Sequence, residues 1–155
     1  MQGKTVQEIK VGDSAQFSKT ISESDVYSFA GVTGDMNPVH INVEYAGETV
    51  FGKRIAHGIL AIGFISNVLG TQLPGPGAIY LEQTCRFLKP VFIGDTITAT
   101  VEVLEKDDAK NRVRLRTYCT NQRNEITLEG EALMMPRKQS KLETQRESLS
   151  PGLAG

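Results

Sequence analysis

The stretch Ile55–Leu69, Ile-Ala-His-Gly-Ile-Leu-Ala-Ile-Gly-Phe-Ile-Ser-Asn-Val-Leu, constrains the fold more than any other part of this chain. It has helical length and is apolar nearly all round, so it predicts a helix buried on most sides rather than a surface amphipathic one. A chain of 155 residues with 39% hydrophobic and 23% charged residues has material for one core. Some other element must therefore wrap around that helix.

The second half of the chain supplies it. After the break Thr71-Gln-Leu-Pro-Gly-Pro-Gly77 the apolar period becomes two, and Ala78–Leu88, Asp95–Lys106, Asn111–Thr120 and Glu125–Met135 read as strands. The connections between them are too short for parallel crossovers, so the strands are expected to pair antiparallel. Ile97, Ala99, Val101 and Val103 mark the inward face of one strand; Arg112, Arg114 and Arg116 share a face read as solvated. Upstream, Ser14–Ile21 alternates like a further strand. Ser22 and Asp25 form a capping-box pattern before a helix through Val26, Phe29 and Ala30, which Gly31 or Gly34 should end. Asn42 can cap a second short helix through Val43, Tyr45 and Ala46, which Gly52 would end.

Between these helices lies Asp35-Met36-Asn37-Pro38-Val39-His40. Pro38 lacks an N–H and pushes Asn37 into extended backbone, so the segment reads as a shaped turn and not a helix interior. It can bring Asp35 and His40 toward one point, where a carboxylate and an imidazole suit proton transfer near neutral pH. The same residues would also serve as a turn-closing carboxylate and a packing histidine. At His57-Gly58 a helix start leaves N–H groups without intrahelical acceptors, and glycine allows a ligand oxygen close approach. Ser66 falls two turns on from Gly58 along one stripe, and is expected to face the same cavity. Close packing for Gly58, and a hydroxyl bonded back to its own helix for Ser66, are the alternatives.

Several classes are disfavoured. The 17 basic and 18 acidic residues are dispersed, with a net charge of −1, which leaves no footprint for nucleic acid or an anionic membrane. No apolar run has signal-peptide character or spans a bilayer, so a cytoplasmic location is expected. Cys85 and Cys119, far from any Cys-x-x-Cys spacing, read as buried free thiols. A metal site from Asp35, His40 and His57 lacks ligand-spaced repeats, and none is expected. A Ser66/His40/Asp35 hydrolase triad would place its nucleophile inside a buried helix instead of on an exposed, strained turn. Residues 137–155 are polar and read as a mobile tail to a domain of residues 1–136.

The stretch Phe29-Ala-Gly-Val-Thr-Gly-Asp-Met-Asn-Pro-Val-His40, then Phe51-Gly-Lys-Arg-Ile-Ala-His-Gly58, and further on Arg86-Phe-Leu-Lys-Pro-Val-Phe-Ile-Gly-Asp-Thr96, resembles the MaoC-like dehydratases and within them the (R)-specific enoyl-CoA hydratases. The resemblance covers nearly the whole chain up to Pro136. It implies an α+β single hot-dog fold, an antiparallel sheet wrapped around a long central helix, paired with a second subunit through sheet edges as a homodimer or larger assembly. It assigns acid/base roles to Asp35 and His40, oxyanion and substrate binding to Gly58 and Ser66, and turn shaping to Asn37. The implied reaction is hydration of a trans-2-enoyl-CoA, or the reverse, without metal or redox cofactor, with CoA or acyl-carrier protein presenting the acyl group. An acyl-CoA thioesterase and a non-catalytic acyl-thioester-binding domain are the alternatives. Tyr27, Phe51, Ile59, Ile62 and Leu73 are candidate determinants of chain length; Lys53, Arg54 and Lys89 are near motif ends where CoA phosphates could lie.

Overall fold

The computed structural model describes residues 2–140. In chain order the elements are β1 (Ser14–Thr20), α1 (Glu23–Thr33), α2 (Pro38–Ile41), α3 (Val43–Gly47), α4 (Gly58–Thr71), β2 (Ile79–Phe87), β3 (Thr96–Asp107), β4 (Arg112–Thr120) and β5 (Ile126–Met135). The strands form one antiparallel sheet in the order β1-β3-β4-β5-β2. The three consecutive strands β3, β4 and β5 form its centre, joined by short turns, while β1 and β2 close the two edges.

Side-chain alternation decides which face is covered. Ile97, Ala99, Val101 and Val103 of β3, Val113 and Leu115 of β4, and Leu128, Ala132 and Met134 of β5 are all buried. They meet Leu60, Ala61, Ile65, Val68 and Leu69 of α4 in a single apolar cluster. Burying each large aliphatic side chain stabilises the fold by about 1.5–3 kcal/mol, which makes the α4–sheet contact the main source of its stability. On the opposite face Arg114 pairs with Glu105 and Glu131, in keeping with a solvated surface.

The structure revises four expectations. First, α4 begins at Gly58, because Ile55 bridges to Phe92 and the Ala56 N–H donates to the Val91 carbonyl at 2.7 Å, holding that segment extended. Second, α4 is not enclosed: the sheet covers one side, and Ile59, Gly63 and Ser66 are exposed. Third, Pro38–Ile41 forms one helical turn. Proline at its first position needs no N–H donor, and the Asn37 side chain caps it by accepting from Val39 N at 3.3 Å. Fourth, Cys85 is exposed at the edge strand, whereas Cys119 is buried as expected.

Local signals place α1 as anticipated. Ser22 accepts from the Asp25 N–H, and Asp25 accepts from the Ser22 N–H. A hydrogen bond from Lys19, then one from the Ser22 backbone, hold the Asp25 carboxyl down at about 2. Gly34 ends α1 at φ 77°, a left-handed conformation that glycine adopts without penalty. At the other end of the domain Arg137 bridges to Thr5 and its guanidinium donates to the Gly3 carbonyl, so the described fold continues one residue past Pro136. The expected mobile tail lies mostly outside the described residues.

Candidate active site

Three hydrogen bonds shape the turn that carries the candidate acid. Asp35 N–H donates to Thr33 Oγ1 at 3.2 Å, Asp35 Oδ1 accepts from Asn37 N at 3.2 Å, and the Asp35 carbonyl accepts from His57 Nε2 at 3.0 Å. The carboxylate is left on the exposed side. His40, one turn along in α2, is buried, and its Nδ1 lies 2.7 Å from the Ile55 carbonyl. A carbonyl oxygen can only accept, so Nδ1 carries the proton and Nε2 of the neutral ring keeps its lone pair. Burial holds the His40 imidazole below its ordinary value, and a His57 charge acts in the same direction. The bond to Ile55 and the charge of Asp35 oppose them without reversing the shift.

Ligating atoms of Asp35, His40 and His57 all lie within 4.8 Å of one another. The expected convergence of Asp35 and His40 is therefore a feature of the fold, and His57, 22 residues away in sequence from Asp35, joins them. The His40 and His57 rings are in contact, with centroids 3.9 Å apart and a tilt of 32°. One nitrogen of each ring faces a backbone carbonyl, so each neutral ring keeps one nitrogen with a lone pair.

Gly58 and Ser66 separate where one shared cavity was anticipated. Gly58 borders an apolar cavity of about 460 Å³ with Phe51, Ile55, Ile59, Phe87 and Leu88, a size that suits small-molecule binding. Ser66 borders a shallower groove between α4 and β2 with Phe29, Ile59, Ile62 and Tyr80. Ile59 lines both, its exposed side chain standing between them. Gly58 is tightly packed as well: a Cβ there would stand 2.7 Å from a ring carbon of Phe87. Of the other candidates, Phe51, Ile59 and Ile62 line these depressions, but Leu73 is buried core and the Tyr27 hydroxyl accepts from Arg54 and donates to Glu23. Arg54 is paired with Glu23, Lys89 with Glu125, and Lys53 lies over the Phe92 ring.

A small α+β domain with a sheet packed on one long helix, and a carboxylate–imidazole pair beside that helix's N-terminus, belongs to the hot-dog class. The model of the MaoC like domain matches residues 5–124, and the chain belongs to that family. It is 56% identical over 129 residues to a Rhodospirillum rubrum protein named (R)-specific enoyl-CoA hydratase, covering 83% of this chain and 89% of the other. A Methylorubrum extorquens protein named 3-hydroxybutyryl-CoA dehydratase is 47% identical over 134 residues, 86% and 85% of the two chains. Among solved structures, the unliganded (R)-hydratase of Pseudomonas aeruginosa superposes with a TM-score of 0.84 at 46% identity, covering 89% and 88%. The chain is accordingly an enzyme of the hydro-lyase class.

Proposed function

We propose that this protein adds water to trans-2-enoyl-CoA to give (R)-3-hydroxyacyl-CoA, and catalyses the reverse dehydration. The observation that carries the reading is the convergence of the Asp35 carboxylate with a neutral His40 whose only free nitrogen is Nε2. In the proposed step one water lies between them. Its oxygen bonds to C3, one of its protons passes to the Asp35/His40 pair, and the pair delivers a proton to C2. Negative charge builds on the thioester oxygen, which the N–H at Gly58 receives; the N-cap residue His57 makes no side-chain hydrogen bond to the first turn of α4. Asn37 holds the turn by capping α2, and the apolar cavity beside Gly58 takes part of the acyl thioester. Ser66 lies along the groove and is assigned to substrate binding.

No helix among the described residues is long and apolar enough to cross a membrane, and a cytoplasmic location remains the proposal for this chain. Ile79, Leu81 and Phe87 are exposed along β2, an edge strand whose outer side meets no further strand among the described residues. That apolar edge favours pairing with a second copy, so a homodimer or larger homo-oligomer is the proposed assembly, checked by light scattering after gel filtration.

The decisive experiment follows the enoyl-thioester absorbance of crotonyl-CoA with purified protein, with Asp35→Asn in parallel. Positioned acid/base groups typically contribute about 10²–10⁴ in rate, so kcat should fall by that order in the variant with KM little changed. The product should have the (R) configuration. Release of free CoA would favour a thioesterase, and acyl-CoA binding without turnover a non-catalytic domain; unchanged turnover in Asp35→Asn would remove the carboxylate from the mechanism.

A further inference from the structure

The proposed water chemistry leaves one buried titratable side chain at this site without a role. His57 is 3% exposed. Its Nε2 lies 3.0 Å from the Asp35 carbonyl and must carry the proton; its Nδ1 is buried with no hydrogen-bond partner among the described residues. A buried acceptor without a donor costs stability, and a phenyl ring would fill the same space without it. What histidine adds here is the Nε2–H.

That single donor has a particular place. The bonds of Asp35 with Thr33 and Asn37 reach only two residues away on either side. Such bonds fix the internal shape of the turn but not its position against α4. The His57 bond spans 22 residues and does fix it. The same ring packs against His40 with centroids 3.9 Å apart at a tilt of 32°, and against Phe29 at 4.8 Å and 48°. His57 is also the N-cap residue of α4, directly before Gly58.

We propose that His57 is a positioning residue: its Nε2–H pins the main chain of Asp35 while its ring shelves His40, so that carboxylate and imidazole hold one water between them in register with the Gly58 N–H. This rests on the hydratase reading for its catalytic consequence, although not for its geometry. His57 exchanges no proton with substrate and holds the two residues that do.

Two variants and one spectrum test it. His57→Phe keeps a ring against His40 and removes the donor; His57→Gln restores an N–H near the position of Nε2. A misplacement of about 1 Å can cost roughly 10²-fold in rate, so His57→Phe should lower kcat for crotonyl-CoA about 10- to 100-fold with KM within about twofold. His57→Gln should recover most of that loss. Wild-type kcat in His57→Phe, or no recovery in a His57→Gln protein that melts like wild type, would overturn the proposal. His40 and His57 are the only histidines in the sequence, so the imidazole ¹⁵N spectrum of the wild-type protein reports this site alone. One ring should be the Nδ1–H tautomer, His40, and one the Nε2–H tautomer, His57. Two Nδ1–H rings would abolish the pin even if neither variant folded. Absent hydratase activity with the expected tautomers would refute the reaction and leave the pin standing.

Discussion

Adding a methyl group at Gly58 separates the packing and catalytic demands placed on one residue. In Gly58→Ala the new Cβ would lie 2.7 Å from Phe87 Cε1 and 2.9 Å from Cδ1. Normal carbon–carbon contact is about 3.5–4.0 Å, so the ring must move by about 1 Å or more. Phe87 is half exposed on an edge strand, and can move at moderate cost. Overpacking of this kind costs about 1–3 kcal/mol, and for a domain of this size each kcal/mol lowers Tm by about 2–4 °C. Differential scanning calorimetry should therefore show a fall of about 2–12 °C. Alanine keeps the Gly58 N–H but crowds the approach to it, so if that N–H receives the thioester oxygen turnover should fall separately, by up to the roughly 10²–10³ that loss of an oxyanion donor costs. Phe87→Leu removes the ring atoms that the methyl meets. In the double variant Tm should return to within about 2–4 °C of the Phe87→Leu parent, while kcat for crotonyl-CoA stays low. Wild-type melting and turnover in Gly58→Ala would refute both halves of the argument; full recovery of kcat in the double variant would make Gly58 a packing residue alone.

Two further predictions concern pH and capping. Because burial holds His40 below its ordinary value of 6.5, the neutral ring should persist at neutral pH and kcat/KM should fall only on the acid side of 6.5. The same shift means that its contribution to stability is complete above the unfolded value of about 6.5 and is lost as pH falls through the lower folded value. A histidine NMR titration giving His40 a value above 6.5 would contradict the burial described here. Ser22→Ala removes one half of the α1 capping box and should cost about 1 kcal/mol in chemical denaturation, with the Asp35/His40 chemistry unaffected; an undiminished midpoint would show that the Lys19–Asp25 pair holds the helix start by itself.

The parts of this fold that depend on near neighbours were legible in the sequence. Ser22 and Asp25, Asn42, and the turns between the four later strands act within a few residues, and each of these elements starts within a residue or two of its expected place, although α3 ends at Gly47 and not near Gly52. The start of α4 was not legible. Ile55-Ala56-His57 suits an extended or a helical backbone, and pairing with Val91 and Phe92, more than 30 positions on, decides between them. Pro38 misled in a narrower way, since its missing N–H forbids a helix interior but fits a helix's first position. At the site, Asp35 and His40 were found because both lie in one short segment. The contacts of His57 with them required α4 to be docked. The separation of Gly58 from Ser66 turns on the outward direction of Ile59, which spacing along a helix does not reveal.

The strand order also bears on the sequence of events in folding. β3, β4 and β5 pair across short turns, whereas β1 pairs with β3 some 80 residues later and β2 reaches past two strands to β5. Local pairings close first because their loops cost little entropy, and distant ones follow. Asp35, His40, His57, Gly58 and Ser66 all lie between β1 and β2, on the stretch that joins the two late arrivals. Substitutions in the β3–β4–β5 meander should therefore slow refolding, while equally destabilising ones in α1, α2 or α4 should chiefly speed unfolding. Stopped-flow kinetics with the reverse pattern would mean that the site, rather than the meander, organises the transition state.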